Sequence, residues 1–211
     1  TSCPKIVIDN FVKNKKDISI IPALRRPKYS KLFGSKFLIL DREILFRYLV
    51  WKIYRPRYQY DFVILTGGTF QMNKVIYSNL IKLSKKKKLV FVLGPFVKSS
   101  IKASLKKNKI DFFINPKNYF DIILNSKVVI ARFGNSVHEA IALQKKPIIF
   151  LYNDDPNRKK DINYLIKQGF ANHFNYQKLI KLSKKNNNKK LKNMSFGAKS
   201  VISIIEHYYK K

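Results

Sequence analysis

Short apolar runs alternate with longer segments of helical spacing through most of this sequence, from residue 61 onward. The runs read DFVIL, KLVFV, IDFFI, KVVIA and KPIIF, and the helical segments cover residues 71–83, 97–107, 118–124, 136–144 and 159–168. A strand that is apolar at nearly every position is buried on both faces, as in a parallel sheet covered by helices. The sequence therefore predicts an α/β fold with a Rossmann-like, doubly wound parallel sheet and helices on both faces.

Basic residues far outnumber acidic ones. The chain has 44 Lys and Arg against 12 Asp and Glu, a formal net charge of +32, which would attract RNA, DNA or anionic lipid. The basic residues are mostly lysines spread along the whole chain with many Asn and Ile, as AT-rich coding produces. The sequence has no zinc-finger spacing, RNA-recognition signature or helix-turn-helix pattern, so we do not expect nucleic-acid binding as the main function.

Cysteine content and hydropathy bear on the cellular setting. Cys3 is the only cysteine, which excludes an internal disulfide and a Cys-rich metal site. No spacing of His and carboxylate residues suggests a metal, and we expect no cofactor. The longest apolar runs, such as residues 37–40 and 89–93, are far shorter than the ~20 residues of a membrane span, and no signal-peptide pattern opens the chain. We expect a cytoplasmic location and, because the first residue is Thr1 rather than Met, a chain that begins inside a longer protein.

A Gly-rich loop follows the first strand of the predicted sheet. Thr66, Gly67, Gly68 and Thr69 come directly after DFVIL and before a helical segment. In an open parallel sheet, ligands bind beyond the carboxyl ends of the strands, where adjacent glycines let backbone N–H groups approach a phosphate. Thr69 adds a hydroxyl donor. The alternative is a plain tight turn, since the loop is neither a Walker loop nor G-x-G-x-x-G.

A second loop, RFGNS, follows the strand KVVIA. Gly134, Asn135 and Ser136 would expose free N–H groups at the start of the next helix, and Arg132 would supply a permanent positive charge. Glu139 lies about one turn further, where a carboxylate can accept two hydrogen bonds from a ribose diol. The alternative is an S-x-x-E capping box, in which Ser136 and Glu139 satisfy the amides of their own helix. Residue chemistry alone leaves both interpretations open.

The two loops together resemble a known class of enzymes. In the second, nucleotide-binding domain of the two-Rossmann (GT-B) glycosyltransferases, particularly the branch with the peptidoglycan N-acetylglucosaminyl transferase, a Gly-rich loop follows the first strand. A later strand there runs into an Arg- or Ser-rich Gly loop and a helix carrying Glu, followed by small-x-x-Pro. TGGTF and ARFGNSVHEAIALQKKPIIF are similar to these segments. The resemblance implies that residues 59–211 are a GT-B C-terminal domain, and that residues 1–58 are the end of a first Rossmann domain and a linker.

The N-terminal part resembles one family within this class. KIVIDN and GSKFLILDREI are similar to the Asp-containing strand and the G-x-x-Y-x-x-L-R-x-E-F segment of the UDP-sugar hydrolase of pseudaminic acid synthesis. The sequence departs from that pattern, with Phe37 for Tyr, Asp41 inserted and Asn10 for a second Asp. The resemblance implies a hydrolase that removes UDP from a diacetamido-trideoxy sugar in nonulosonic acid synthesis.

The resemblance also assigns roles to individual residues. It implies that the uracil lies against the backbone near Phe113 and Ile114, with Glu139 on the ribose. It places Asn153 and Asp154 near the sugar, although both could equally be turn residues. It implies that the diphosphate is held by residues of both loops: Gly67, Gly68, Thr69, Gly134, Asn135 and Ser136.

The catalytic His of the hydrolase family has no counterpart in this sequence. That His lies in a G-x-G-H-x-x-R loop of the first domain, and the motif does not occur here. We interpret His138 as a partly exposed structural residue rather than one that flanks the site, and we assign no role to His173 or His207. We therefore expect these 211 residues to be inactive alone. A UDP-sugar-dependent glycosyltransferase is the alternative, because both classes bind the same donor, and a basic nucleic-acid-binding or structural protein is a second alternative.

Residues 42–58, REILFRYLVWKIYRPRY, interleave basic and large apolar side chains. A segment of this composition can lie on an anionic membrane surface. The alternative, which we prefer, is an interdomain helix that packs on the core through Ile44, Leu45, Tyr48, Leu49 and Trp51.

Overall fold

The computed structural model describes residues 6–8, 18–21, 32–33, 43–54, 57–151, 156–181, 203 and 206. Its contacts divide the chain into two units, of which the first comprises residues 1–42 and 191–211 and the second comprises residues 43–190. The predicted domain boundary lies after residue 58, whereas the contacts group the helix before that point with the second unit. The boundary at residue 58 stays a prediction.

Three short strands of the first unit form a parallel sheet. They are β1 (Ile6–Ile8), β2 (Ile18–Ile21) and β3 (Leu32–Phe33), in the order β1-β2-β3. Strand β1 lies within the segment KIVIDN, which the resemblance identified as a strand. The run FLIL, at residues 37–40, and the rest of the hydrolase-like segment up to residue 42 lie outside the described residues.

The second unit contains a six-stranded sheet in which all neighbouring strands are parallel. Its strands are β4 (Tyr60–Leu65), β5 (Leu89–Leu93), β6 (Asp111–Ile114), β7 (Ser126–Arg132), β8 (Ile148–Phe150) and β9 (Asn172–His173). Their order is β6-β5-β4-β7-β8-β9. The predicted Rossmann-like α/β fold is therefore confirmed. Strand β9 was missed because its two polar residues form no apolar run.

All five helices predicted after residue 70 are present, with ends shifted by up to three residues. The helices of this unit are α1 (Glu43–Tyr54), α2 (Lys74–Ser84), α3 (Ser99–Lys107), α4 (Tyr119–Leu124), α5 (Asn135–Ala142), α6 (Pro156–Lys167) and α7 (Tyr176–Lys181). Helix α2 begins later than predicted because Asn73 caps it: the Asn73 Oδ1 accepts a hydrogen bond of 2.7 Å from the Val75 N–H. The short helix α7 was not predicted.

The central strands are buried on both faces, as their apolar runs predicted. On one face, side chains such as Phe62, Ile64 and Phe91 join a cluster with buried residues of α2, α3 and α7. Val63 and Val129 point to the opposite face, since strand side chains alternate, and both are fully buried there. Helices therefore cover both faces of the sheet, and the ends of the strands stay accessible.

The order in which successive strands are added across the sheet reverses between β4 and β7. From β4 the connections run through β5 to β6 at one edge, and from β7 they run through β8 to β9 at the other. Strands β4 and β7 are paired along their length up to Leu65 and Ala131. The loops that follow them therefore leave the sheet side by side, and such a switch point is where open α/β sheets bind ligands.

Lys145 is buried at the amino end of β7, on the opposite side of the sheet from the loops that follow β4 and β7. Its Nζ donates to the carbonyl oxygens of Leu124 and Ser126, at 2.9 and 2.8 Å. The rings of Trp51 and Tyr58 each lie 5.0 Å from the same nitrogen. Lys145 thus links the aromatic residues at and after α1 to the sheet. Burial lowers the pKa of Lys145 to about 7.

Folding stability should rise with pH between about 7 and 10, where the folded Lys145 is neutral and the unfolded one is charged. The unfolded state then binds more protons, so each pH unit adds up to about 1.4 kcal/mol to the free energy of unfolding. Well below pH 7 Lys145 carries the proton in both states, so the free energy of unfolding no longer changes with pH through this residue. Urea unfolding at pH 7, 8 and 9 measures the rise, and Lys145→Met should remove it. A Lys145→Met protein with the wild-type pH dependence would contradict the assignment.

Candidate functional site

The loop after β4 is anchored by one residue and exposes the next ones. Thr66 is buried, and its hydroxyl donates to the Val92 carbonyl at 3.2 Å. Gly67 has a φ of +74°, in the left-handed region that favours glycine. Gly68 and Thr69 are exposed. The structure therefore places the predicted phosphate-facing residues at the accessible carboxyl edge of the sheet.

Gly94, at the carboxyl end of β5, lets this loop sit close to the sheet. A Cβ atom at Gly94 would collide with the backbone oxygens of Gly67 and Gly68. Next to this contact, the N–H of Phe96 donates to the Gly68 carbonyl at 3.4 Å. Sequence reasoning missed Gly94, although a glycine directly after a buried strand was the available signal.

Arg132, the last residue of β7, connects the two loops. Its Nη2 lies 3.5 Å from the position of a Cβ atom on Gly67, and its Nη1 donates to the Gln71 Oε1. Burial, and secondarily the charge of Arg158 on α6, lower the pKa of Arg132. The Arg132 guanidinium therefore lies beside the Gly67 turn, where it can act as a donor to an anion. Neither Gln71 nor Arg158 was predicted.

Helix α5 begins without a side-chain cap. Its N-cap residue is Gly134, which has no side chain to make a capping hydrogen bond. The capping-box interpretation of Ser136 and Glu139 is therefore wrong, because Ser136 already lies in the first turn of the helix. No atom lies within 4 Å of the position of a Cβ atom on Gly134. The positive end of the α5 dipole thus faces open space beside Arg132.

Glu139 is held by a residue of another helix. The hydroxyl of Tyr119, the first residue of α4, donates to the Glu139 Oε2 at 2.9 Å. The Ser136 side chain hydrogen-bonds the same hydroxyl, and burial together with the Glu139 charge raises the pKa of Tyr119 above its ordinary value. Sequence reasoning missed Tyr119, since nothing in its local pattern distinguishes it from a core aromatic residue.

Of the remaining predicted contact residues, the structure describes those near the proposed uracil but not those near the sugar. Ile114 ends β6 at the same carboxyl edge and is 40% exposed, with Phe113 beside it at 39%. This position agrees with the predicted place of the base, which stays a prediction. Asn153 and Asp154 lie outside the described residues.

The described histidines do not resemble a catalytic centre. His138 is 8% exposed rather than partly exposed as predicted, and its ring packs 6.2 Å from that of Phe133. Burial lowers the pKa of His138 to about 4, so it is a neutral structural residue at pH 7. His173 lies on the exposed rim of a cavity of about 380 Å³, and His207 lies outside the described residues. In the part of the chain that the structure describes, no cluster of three or more His, Cys, Asp or Glu residues could hold a metal ion.

Helix α1 has a buried side and an exposed apolar side. Ile44 is 1% exposed and α1 contacts α4 and α5, which confirms packing at that residue. The prediction is wrong for Leu49, which is 54% exposed and lies beside Phe46 and Ile53, at 65% and 75%. The side chain of Leu45 is not described. Contact with an anionic membrane stays a prediction, and none of the described helices has the length and apolar content to cross a bilayer.

Comparison with known proteins gives distant structural matches. No protein-family model matches the sequence, and no curated protein matches it. The Methanocaldococcus jannaschii UDP-GlcNAc 2-epimerase, solved with UDP-GlcNAc and UDP, is 19% identical, with a TM-score of 0.46 over 79% of this chain and 49% of that one. The Phytolacca americana UGT2, solved with UDP-2fluoro-glucose and pterostilbene, is 11% identical, with a TM-score of 0.47 over 90% of this chain and 47% of that one. This chain spans about half the length of each structure, and because both scores are below 0.5 the fold assignment rests on the strand order.

Replacing Gly94 by Ala should destabilise the protein by roughly 1–3 kcal/mol, because the new methyl group would push the β4 loop off the sheet. Gly68→Ala is the matched control, since no atom lies within 4 Å of the Cβ position there. Thermal unfolding of both variants measures the difference. Equal melting temperatures for Gly94→Ala and Gly68→Ala would show that the loop after β4 is not in close contact with Gly94.

Proposed function

We propose that this chain holds the nucleotide of a UDP-sugar and forms the nucleotide-binding part of an enzyme that acts on that sugar. One arrangement carries the proposal. At the switch point between β4 and β7, the exposed loop of Gly67–Thr69, the guanidinium of Arg132 and the uncapped start of α5 come together. These groups are supplied by separate parts of the sequence, and all of them favour a negatively charged ligand.

The diphosphate is the part of the ligand that this arrangement suits best. Backbone N–H groups at a glycine turn and at a helix N-terminus bind phosphate oxygens without requiring a charged side chain. Arg132 adds a planar donor set that matches phosphate geometry, and Arg158 adds a second positive charge.

The positions of Glu139 and Ile114 relative to the proposed diphosphate site suit the ribose and the uracil. Glu139 lies on the first turns of α5, next to the proposed diphosphate site, where its carboxylate can accept hydrogen bonds from ribose hydroxyls. Ile114 ends β6, two strands away from β4, and neighbouring strands are about 4.8 Å apart. The resulting separation of roughly 10 Å is comparable with the length of a nucleoside. The uracil is accordingly proposed to contact the backbone near Ile114.

Hydrolysis of a UDP-sugar is the reaction that the sequence resemblance favours. In that reaction an activated water replaces UDP on the sugar, and Arg132 with the loop amides stabilises the negative charge left on UDP. In the transferase alternative an acceptor hydroxyl replaces the water, while UDP leaves in the same way. Both reactions place the nucleotide on this chain, and a first domain of the family's type would supply the base that activates water.

Calorimetric titration of the 211-residue chain with UDP and with pyrophosphate tests the proposed site. Arg132→Met should weaken both ligands by about ten-fold or more, because it removes a charge-assisted contact to the diphosphate. Lys106→Met removes one charge from the last turn of α3 and should leave both affinities unchanged. Absence of UDP binding by the wild-type chain, or equal weakening by the two variants, would contradict the proposal.

A further inference from the structure

We infer that Tyr119 positions the carboxylate of Glu139 so that the site selects a ribose with both hydroxyls over 2′-deoxyribose. This inference rests on the proposed function and names the class of nucleotide that the site takes, a ribonucleoside diphosphate. Tyr119 is a positioning residue in this account, because it acts on the ligand through Glu139.

The contact between the two side chains is a specific one. Tyr119 begins α4 and Glu139 lies on α5, 20 residues further along the chain, and their hydrogen bond measures 2.9 Å. The Tyr119 hydroxyl also has Ser136 as a partner, one helical turn before Glu139. The ring of Tyr119 packs at 5.2 Å against the ring of Phe120. The contact with Phe120 and the hydrogen bond with Ser136 therefore restrict the Tyr119 side chain in addition to its bond with Glu139.

In this hydrogen bond Tyr119 donates and Glu139 accepts, which is the role that Glu139 also needs toward ribose hydroxyls. The raised pKa keeps the Tyr119 hydroxyl protonated at neutral pH, so it donates and the carboxylate accepts. An ionised carboxylate offers about four acceptor positions. The hydrogen bond from Tyr119 uses one of these positions, on Oε2, and a ribose diol would use two.

A fixed carboxylate discriminates between sugars more sharply than a mobile one. A glutamate side chain on a helix surface normally loses rotamer freedom when it binds a ligand, and this loss weakens binding. Here Tyr119 holds one carboxylate oxygen in place, so less freedom remains to be lost when a diol binds. A ligand without the 2′-hydroxyl leaves that acceptor without its partner and gains less from the prepared position.

The alternative is that Tyr119 only joins α4 to α5. A structural link of that kind would affect the melting temperature and would leave the preference between two nucleotides unchanged. The two roles therefore differ in a measurable ratio, the affinity for UDP divided by the affinity for 2′-deoxy-UDP.

Calorimetry with UDP, 2′-deoxy-UDP and pyrophosphate tests the inference on the whole 211-residue chain. The wild type should prefer UDP to 2′-deoxy-UDP by about ten-fold, and Tyr119→Phe should reduce the preference to less than about three-fold. Pyrophosphate affinity should be unchanged in that variant. Tyr77→Phe is the matched control, since it removes a hydroxyl that bonds the Ser104 side chain at 2.8 Å between α2 and α3. It should keep the wild-type preference, whatever its melting temperature.

A second variant keeps the test decisive if Tyr119→Phe unfolds. Ser136→Ala removes the other partner of the Tyr119 hydroxyl, and it should lower the preference for UDP in the same direction by a smaller factor. An unchanged preference in Tyr119→Phe, or a wild type that binds both nucleotides equally, would overturn the inference while leaving the proposed diphosphate site intact. A wild type that binds neither UDP nor pyrophosphate would instead overturn the proposed function.

Discussion

Pairing between β4 and β7 is the interaction on which the candidate site depends. These strands are separated in sequence by two other strands and three helices, yet they lie side by side with Phe62 opposite Val128 and Leu65 opposite Ala131. Both are apolar and buried on both faces, so the pairing is stabilised by the core itself. The connection after β4 runs toward one side of the sheet and the connection after β7 runs toward the other, so the loops that begin these connections lie next to each other at the carboxyl ends of the strands. The site is a consequence of this topology more than of any single motif.

Electrostatics then restricts what the edge can bind. Arg132 is partly buried between the β4 loop and Gln71, and the approach of Arg158 makes that position less favourable for a positive charge. Partial burial of the Arg132 charge costs free energy, which a bound anion would offset. The net charge of +32 attracts many anions to the whole surface of this protein. A specific ligand of this site must therefore also contact Glu139, which a simple anion does not require.

Sequence reasoning recovered what depends on local pattern and missed what depends on long-range contact. The apolar runs predicted the parallel sheet, and the glycines at 67 and 134 indicated the two loops before the topology brought them together. S-x-x-E left a capping box and a ligand site open as alternatives. The structure disfavours the capping box, because the helix begins at Asn135 and Glu139 accepts a hydrogen bond from Tyr119 of another helix. The roles of Gly94 and Tyr119 follow from contacts with Gly68 and Glu139, which lie far from them in the chain, so the local pattern did not define those roles.

A crystal structure of the chain with bound UDP is the sharpest test of the proposed nucleotide site. We expect the diphosphate between the Gly67–Thr69 loop and the start of α5, with the Arg132 guanidinium on its oxygens and a Glu139 oxygen within hydrogen-bond distance of the ribose. UDP bound elsewhere, such as in the cavity beside β8 and β9 that Phe150 and Phe174 line, would contradict it. So would a complex in which the diphosphate contacts only surface lysines.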